Sequence, residues 1–455
     1  MIEKKNHHKF IIRELFCYLF LYKVLIEFMY AYVIAPLYSY SGLTLNINKY
    51  GYLLSTCYLL FIVISSPKDK KRASTYLFIM MEMFIIIPIL SYYWMNTQSI
   101  IYTTFVTVSS IIISIILKAK PIPIKIKSRT AKIWLNMIFV TYVFSTIYLI
   151  VKRGGIDIRA LNFDLIYDLR AENQISGFTG YLMNWSTKAL CPFFLAYFYY
   201  RKKYIIMLSV ILLQLMMYLS FGNKAFLLSI GVIFMGIVIT KRGRYIREMV
   251  LCMTGLNITA YFLSNFGISD SLRTAIPYRL TFIPAQIQFQ YYEFFSNREK
   301  LFFADGIIGK LLNIQSPFSQ NISFVIGSYF SHNGLGSNSN TGIFSDAYAN
   351  GGIILMISIA IVFGIILNFI DSITEKIPLH ISVGSVSYMI FILNDTALLT
   401  TLLTGGLWLV ILLLLLFNSS AEKETSSINV PSNRLIKKIE HANQTTLNKE
   451  KLHEA

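Results

Sequence analysis

Hydrophobic residues in this sequence gather into long blocks that are separated by short polar or charged connections. Within a block the apolar residues run almost continuously instead of recurring on one face, as is typical of helices surrounded by lipid or by other apolar helices. A helix crosses a bilayer with about 20 mostly apolar residues. The pattern therefore predicts an all-α polytopic membrane protein with about twelve transmembrane helices. The predicted blocks are 15–38, 50–66, 75–94, 99–117, 133–151, 182–200, 204–220, 223–240, 249–266, 351–370, 377–394 and 398–418.

Basic residues are distributed unevenly among the connections, and this asymmetry predicts the direction in which each helix crosses. With the N-terminus in the cytoplasm, the inner segments hold 28 of the 41 Lys and Arg residues and the outer segments hold 11. Cytoplasmic connections are enriched in Lys and Arg, so we expect both termini in the cytoplasm. Two enlarged loops, 152–181 and 267–350, then lie outside. Residues 1–420 form the predicted transmembrane domain, and 421–455 are expected to be a mostly disordered cytoplasmic tail.

Composition narrows the functional classes. A chain that is 55% hydrophobic and only 14% charged is not a soluble globular protein. Its net charge of +18 would suit nucleic acid, but the basic clusters alternate with apolar blocks, so we predict the lipid bilayer and no nucleic acid as a partner. The four cysteines all lie in apolar blocks, and the sequence has no nucleotide-binding loop, zinc motif or nucleophile elbow. No metal and no cofactor are therefore predicted.

Ionisable residues inside the apolar blocks are few, and each is a candidate functional group. Lys23 and Glu27 are four residues apart, a spacing that places them on one helix face and predicts a structural ion pair. Glu82 has no partner in its own block and is the kind of residue that a proton-coupled transporter uses. Lys188 is the remaining member of this group.

The first outer loop mixes both signs of charge with apolar residues. Apolar residues recur at helical spacing between Arg159 and Arg170, which predicts an amphipathic helix with both arginines near lipid headgroups. A plain solvated loop is the alternative.

The second outer loop is rich in aromatic residues. Residues 280–295 read as a helix broken near Pro284, either a surface helix that caps the bundle or a carbohydrate subsite, because sugar rings stack on aromatic faces. The polar stretch 331–352 follows, rich in Gly, Ser and Asn. It is either a flexible glycan contact or a linker to the next helix.

Two short stretches carry a resemblance to a known family. Ser220-Phe221-Gly222-Asn223-Lys224-Ala225-Phe226-Leu227-Leu228 is similar to a Gly-Lys/Arg-hydrophobic helix entry, and 341–352 (TGIFSDAYANGG) is similar to an aromatic-bearing helix start with a Gly-rich turn. Some members of that family carry an Arg and a Gly separated by ten residues in both outer loops. Arg298 and Gly309 have this spacing, whereas Arg170 and Gly180 are one residue too close. With about a dozen helices and two arginine-bearing outer loops, the chain resembles the bacterial oligosaccharide repeat-unit polymerases that build O-antigen or capsular polysaccharide.

The resemblance implies a membrane glycosyltransferase of the bacterial cytoplasmic membrane, acting on its outer face. It would transfer a growing glycan from one undecaprenyl-pyrophosphate carrier to a hydroxyl of the next lipid-linked repeat unit, with a flippase and a chain-length regulator as partners. The leaving pyrophosphate needs cations, and arginine binds phosphate through two parallel hydrogen bonds. The implied substrate-binding residues are Arg159, Arg170, Lys224, Arg273, Arg279 and Arg298.

The acceptor hydroxyl needs a general base. His332 and Asp346 are the candidates that the resemblance implies for this catalytic role. Asp346 has a structural alternative, since it could instead cap the helix that follows.

Three other activities remain open at the level of sequence. The related O-antigen ligase, which moves finished glycan onto a lipid core or protein, shares the topology and the arginines. A lipid-linked oligosaccharide flippase also has about twelve helices, but it needs charges lining a central cavity and has no use for an ordered outer loop of about eighty residues. A metal-dependent lipid-phosphosugar transferase would carry acidic residues at the end of the first helix, where this chain has Tyr38-Ser39-Tyr40-Ser41.

Overall fold

The computed structural model describes residues 2–124, 130–161, 169, 177–242, 245–331 and 338–428. These residues form helices joined by turns, with one isolated β-bridge between Asn46 and Asn96 and no strand. The all-helical class predicted from the apolar blocks is confirmed. In chain order the helices are α1 (Ile2–Met29, continued by Tyr30–Ile34 and Ala35–Leu37), α2 (Lys49–Ser65), α3 (Ala73–Met95), α4 (Ile100–Leu117), α5 (Ala131–Lys152), α6 (Phe178–Asn184, continued by Trp185–Leu190 and Cys191–Tyr200), α7 (Tyr204–Phe221), α8 (Lys224–Arg242), α9 (Tyr245–Asn265), α10 (Ser271–Arg273, continued by Thr274–Phe282 and Ile283–Ser296), α11 (Ile307–Leu312), α12 (Ile322–Tyr329), α13 (Ile343–Thr374), α14 (Leu379–Ile392), α15 (Leu398–Leu402) and α16 (Leu407–Ile428).

Seven helices in the described part of the chain are long and apolar enough to cross a membrane, namely α1 from Ile12 to Leu37, α3, α4, α5, α7, α8 and α13. Each predicted apolar block falls on helical residues, although α2, α14 and the apolar part of α16 are shorter. The chain is thus a polytopic helical membrane protein. The count of twelve crossings stays a prediction.

The predicted block 398–418 consists of two helices rather than one. A turn over residues 403–406 separates α15 from α16, because Gly406 has a φ of +91°, a value that L-residues with side chains rarely adopt. A Cβ atom on Gly405 would lie 2.6 Å from the Thr401 carbonyl oxygen. The second helix continues to Ile428, beyond the predicted domain boundary at residue 420.

The helix connections meet at two ends of the bundle. At one end the Asn46 N–H donates to the Met95 carbonyl at 2.8 Å, and the Tyr38 hydroxyl lies 2.9 Å from Thr274 Oγ1. We name this the outer end, after the sidedness predicted from the basic residues, and the opposite one the inner end. The outer end contains connections 38–48, 96–99, 153–161, 222–223, 266–270, 297–331, 338–342 and 393–406, and the inner end contains 66–72, 118–124, 201–203 and 375–378.

An ion pair ties three helices together at the inner end. Arg72, directly before α3, donates through Nε to Asp371 Oδ2 of α13 at 2.7 Å. Its Nη1 also donates to the carbonyls of Leu117 and Ala119, the latter at 3.0 Å, at the end of α4. The Ser74 N–H donates to the second oxygen of Asp371 at 2.9 Å. Arg72, Ser74 and Asp371 are named the inner clamp, and they hold α3, α4 and α13 against one another.

Helix α10 lies inside the bundle, which contradicts the prediction of a surface helix over residues 280–295, whereas the carbohydrate subsite stays a prediction because Tyr292 is partly exposed. The helix continues past Pro284, with a π-helical segment over Thr274–Phe282 where prolines supply no amide donor. Phe282, Phe289 and Phe295 are at most 2% exposed. These rings fill the protein core, and they are not available to stack on a sugar.

Helix α13 is kinked at Gly351 and Gly352. Gly352 has φ +67° and ψ −157°, a conformation that is essentially restricted to glycine. Before the kink, Phe344 and Ser345 are fully buried, and Ser345 hydrogen-bonds to Thr341. The described part of the polar stretch, 338–352, is therefore mostly packed structure instead of the flexible segment that the sequence suggested.

Candidate functional site

Three polypeptide segments converge at the outer end. The Ile343 N–H at the start of α13 donates to the Leu393 carbonyl at 3.0 Å, and the Asn394 side-chain amide donates to the Leu280 carbonyl of α10 at 3.0 Å. The turn after α14 is thereby held between α10 and α13. This position brings Asp395 close to the segment that carries Arg279.

Asp395 faces Lys188 across this junction. The Asp395 side chain is exposed, yet removal of its hydration by the surrounding protein raises its pKa above the ordinary value, while the Lys188 charge and a hydrogen bond from Thr396 oppose that rise. Lys188 lies on the part of α6 that packs against the connection following Asp395, since a Cβ atom on Gly406 would lie 3.0 Å from the neighbouring Ala189. Lys188, on the π-helical segment of α6, is partly exposed and contributes the opposite charge.

Lys224 belongs to elements that are linked to the same region. The Gln214 amide donates to the carbonyls of Thr187 and Phe226, both at 3.3 Å, which ties the segment before Lys188 to the first turn of α8. The Tyr388 hydroxyl of α14 donates to the Ala225 carbonyl at 3.1 Å. Lys224, partly exposed at the start of α8, therefore stands at the same end as Lys188.

Two tryptophans close the side of this region. The indole N–H groups of Trp185 and Trp408 both donate to the Leu403 carbonyl, at 3.2 and 3.1 Å. Their ring centroids are 5.6 Å apart. A Cβ atom on Gly406 would lie 3.0 Å from both Trp185 and Ala189, so glycine permits this close approach of α16 to α6. Trp408 is exposed and Trp185 is partly exposed, and tryptophans in such positions are typical of the membrane–water interface.

Arg273 lies directly before the π-helical segment of α10, and Arg279 lies within it. Arg279 is exposed and acts electrostatically on Tyr40. Arg273 is engaged within the protein, because its Nη2 lies 2.9 Å from Asp270 Oδ2 and its Nη1 donates to the Ser264 hydroxyl. The role of both arginines as phosphate ligands stays a prediction.

Asp346 lies in the first turn of α13 and does not cap it. Gly342 occupies the N-cap position, and no side chain caps the helix there. The Asp346 side chain is partly exposed and close enough to Tyr291 to act on it electrostatically, and the Asn350 amide donates to the Asp346 main-chain carbonyl at 2.9 Å. The structural alternative for Asp346 is wrong, and its candidacy as a base stays a prediction.

Arg298 lies on a separate part of the outer end. Its guanidinium is 4.0 Å from the Phe294 ring centroid and 5.0 Å from that of Tyr329. Neighbouring Lys300 lies 4.0 Å from the Tyr348 centroid, and burial lowers its pKa below the ordinary value. Arg298 is thus held on aromatic rings, as expected for a cation–π contact.

The first outer loop places Arg159 in an exposed ion pair. Its Nη2 lies 2.9 Å from Asp157 Oδ2, and hydrogen bonds from Arg159 lower the pKa of Asp157 below its ordinary value. Residues 153–159 line an open cleft of about 390 Å³. The Tyr218 hydroxyl donates to the Ala160 carbonyl at 2.7 Å, which fastens this loop to α7.

Two predicted site residues, Arg170 and His332, lie outside the described residues. Among the others, Lys224, Arg279 and Asp346 belong to the connected region, whereas Arg159 and Arg298 lie on separate loops and Arg273 is paired internally. Sequence reasoning noted Lys188 only as an ionisable residue in a block and missed Asp395 altogether. The signal for Asp395 was the short polar segment Asn394-Asp395-Thr396 between two apolar blocks.

The ionisable residues deeper in the bundle have partners. Lys23 and Glu27 form the predicted ion pair, which is confirmed, and the Trp94 indole donates to Glu27 at 2.6 Å. Glu82 is fully buried and accepts a hydrogen bond from Ser110 of α4. Within the described ranges, no three His, Cys, Asp or Glu side chains are grouped so that they could hold a metal ion.

Comparison with known proteins yields no relative: no family model, no curated protein and no solved structure matches this chain.

Proposed function

We propose that the chain polymerises lipid-linked oligosaccharide repeat units into O-antigen or capsular polysaccharide at the outer face of a bacterial cytoplasmic membrane. The observation that carries the proposal is a group of charged residues at the outer end. Lys188 and Asp395 lie within electrostatic range of each other, and the exposed Arg279 directly precedes Leu280, whose carbonyl accepts a hydrogen bond from the turn that carries Asp395. Such a site combines cations with a carboxylate next to lipid.

The cations suit a pyrophosphate leaving group. When the anomeric carbon of the donor glycan leaves its carrier, negative charge develops on the pyrophosphate and must be stabilised. Arg279 keeps its charge at any relevant pH and offers a planar fork of donors, and Lys224 and Lys188 add point charges at the same end. A neutral sugar substrate would have no comparable need for these residues.

The membrane location suits a lipid-linked substrate. Isoprenoid chains remain in the bilayer, so a transferase for such carriers must hold its polar site at the level of the headgroups. Trp185 lies three residues before Lys188 in the sequence, and Trp408 packs against Trp185 at the same part of the outer end. Their position supports a site at the interface, where the pyrophosphate of a carrier lipid resides.

The inner clamp favours a polymerase over a flippase. A flippase must open its cavity alternately to each side of the membrane. Arg72 and Asp371 join α3, α4 and α13 at the inner end through an ion pair that is largely shielded from water. Opening that end would break the pair and leave a buried carboxylate without its cation, which is costly.

Deletion of the gene in its own host tests the proposal. We expect glycans that carry a single repeat unit, and re-expression of the protein should restore a ladder of longer chains. Long chains that accumulate unattached to their final acceptor would instead indicate a ligase. Lipid-linked units trapped on the cytoplasmic face would indicate a flippase, and either result would contradict the polymerase.

A further inference from the structure

We propose that Asp395 accepts the proton of the acceptor hydroxyl and that Lys188 binds the departing pyrophosphate. This assignment rests on the polymerase activity proposed above. It adds to that activity two residues outside the set implied by the family resemblance, and it assigns the transfer step to the junction between α6 and the turn after α14.

Most other carboxylates at the outer end are already engaged or lie on the open surface. Glu293 and Glu299 are exposed on and directly after α10. Three aspartates hold neighbouring groups by direct bonds, which stabilise the loops and reduce their capacity to take a proton. These bonds join Asp157 to Arg159 Nη2 at 2.9 Å, Asp270 to Arg273 Nη2 at 2.9 Å and Asp305 to the Ile322 N–H at 2.9 Å.

Asp395 differs from these groups because it is accessible and only lightly bonded. A side-chain hydrogen bond to it comes from Thr396, at 3.1 Å, and the neighbouring Asn394 points the other way, to the Leu280 carbonyl. The turn itself is fixed on both sides by Leu393 and Asn394. A base must be held in position while its carboxylate stays open to substrate, and Asp395 satisfies both conditions.

Lys188 lacks a direct partner in the described part of the chain. It makes no salt bridge or hydrogen bond there, and the opposite charge that acts on it is that of Asp395. An ammonium group that is partly removed from water is costly unless an anion approaches it. A diphosphate supplies such an anion, and Lys binds phosphate as a compact point charge.

The transfer balances with these two groups. The acceptor hydroxyl gives its proton to the Asp395 carboxylate, and its oxygen forms a bond to the anomeric carbon of the donor glycan. The bond from that carbon to the pyrophosphate oxygen breaks, and its electron pair leaves on undecaprenyl pyrophosphate. Lys188 offsets the added negative charge, and the protonated Asp395 then returns its proton to water.

The pairing also links donor binding to the base. Before the donor binds, the Lys188 charge makes Asp395 a weaker base, because a nearby cation favours the ionised carboxylate. A bound pyrophosphate neutralises that charge. Asp395 therefore becomes a stronger base when the donor is present.

Elongation assays on membranes that contain the full chain test the assignment, with purified radiolabelled lipid-linked repeat units as substrate. The variants are Asp395→Asn, Lys188→Met and Lys188→Arg, with Asp346→Asn for comparison. Glu293→Gln, which changes an exposed carboxylate at the same end, is the matched control. Loss of a general base slows a reaction by about 10²–10⁴-fold, so we expect that loss in Asp395→Asn and unchanged binding of the labelled unit.

Lys188→Met should weaken binding of the labelled unit, and Lys188→Arg should recover at least part of it because the positive charge returns. If the Asp395→Asn variant does not accumulate in the membranes, the Lys188→Met and Lys188→Arg variants test the assignment instead. Equal binding of the labelled unit by these two variants overturns the assignment. Elongation by a stable Asp395→Asn variant at the rate of Glu293→Gln also overturns it, as does a loss confined to Asp346→Asn. Wild-type membranes that elongate nothing overturn the proposed function and this inference together.

Discussion

Replacement of Arg72 by Met tests the inner clamp most directly. The substitution keeps an apolar stem of similar length and removes every donor of the guanidinium. Asp371, which is 3% exposed, keeps the N–H and hydroxyl of Ser74 but loses its cation. The carbonyls of Leu117 and Ala119 lose a donor in the same step. Removal of one partner from a buried ion pair costs about 3–5 kcal/mol.

The remaining contacts of Asp371 narrow the expected loss of stability in Arg72→Met. Because two Ser74 donors remain on Asp371, we expect a loss near the lower limit, about 3 kcal/mol in the free energy of unfolding. The double variant Arg72→Met with Asp371→Asn removes the unpaired charge as well. It should recover about 1–2 kcal/mol of that loss, which appears as a coupling energy in a double-mutant cycle.

Unfolding of the purified protein by SDS in mixed micelles, followed by circular dichroism, measures these differences. Lys71→Met is the matched control, since Lys71 is the exposed neighbour of Arg72 and should change stability by less than about 0.5 kcal/mol. An Arg72→Met variant as stable as Lys71→Met would refute the clamp. A double variant whose loss equals the sum of the single losses would show that the two residues do not interact.

Two further comparisons use the same unfolding measurement. Arg273→Ala should cost about 1 kcal/mol in the free energy of unfolding, because it breaks the ion pair with Asp270, which is 63% exposed, and removes a donor to the Ser264 hydroxyl. Arg279→Ala should reduce glycan elongation more than Arg273→Ala does, because Arg279 is exposed, and the reverse order of elongation rates would contradict the placement of the two arginines. Gly352→Ala should cost about 1–3 kcal/mol because only glycine readily adopts its backbone conformation, while Gly231→Ala, in open space on α8, should be neutral or slightly stabilising; equal effects would contradict the kink in α13.

Local features of the fold followed directly from the sequence. An apolar block has few alternatives to a helix in lipid, where each backbone N–H and C=O group must be bonded within its own segment. The Lys23–Glu27 pair was predictable for a similar reason, since four residues separate two groups on one helix face. Gly405 and Gly406 indicate the break before α16, but the apolar residues on both sides of them led to the prediction of one continuous helix over 398–418.

Helix α10 shows why burial was harder to predict. Polar residues such as its Gln286 and Gln288 are usually exposed. In the structure the Gln286 amide donates to the Ser41 carbonyl at 2.9 Å, and Gln288 accepts from the Tyr102 hydroxyl at 3.1 Å. The partners come from distant parts of the chain. No local pattern could therefore distinguish a satisfied core glutamine from a solvated one.

The same limit applies to the candidate site and explains why the arginines were a poor guide to it. A count of cations in outer loops treats Arg273 and Arg279 alike, although Arg273 forms an ion pair with Asp270 and Arg279 is exposed. Lys188 and Asp395 belong to different segments, and only the packing of the turn after α14 against α10 and α13 reveals that they face each other. A charge in this protein acquires a chemical role through its position and exposure after folding. For that reason Lys188 and Asp395, which folding brings within electrostatic range of each other, are stronger candidates for transfer chemistry than any residue chosen by its loop alone.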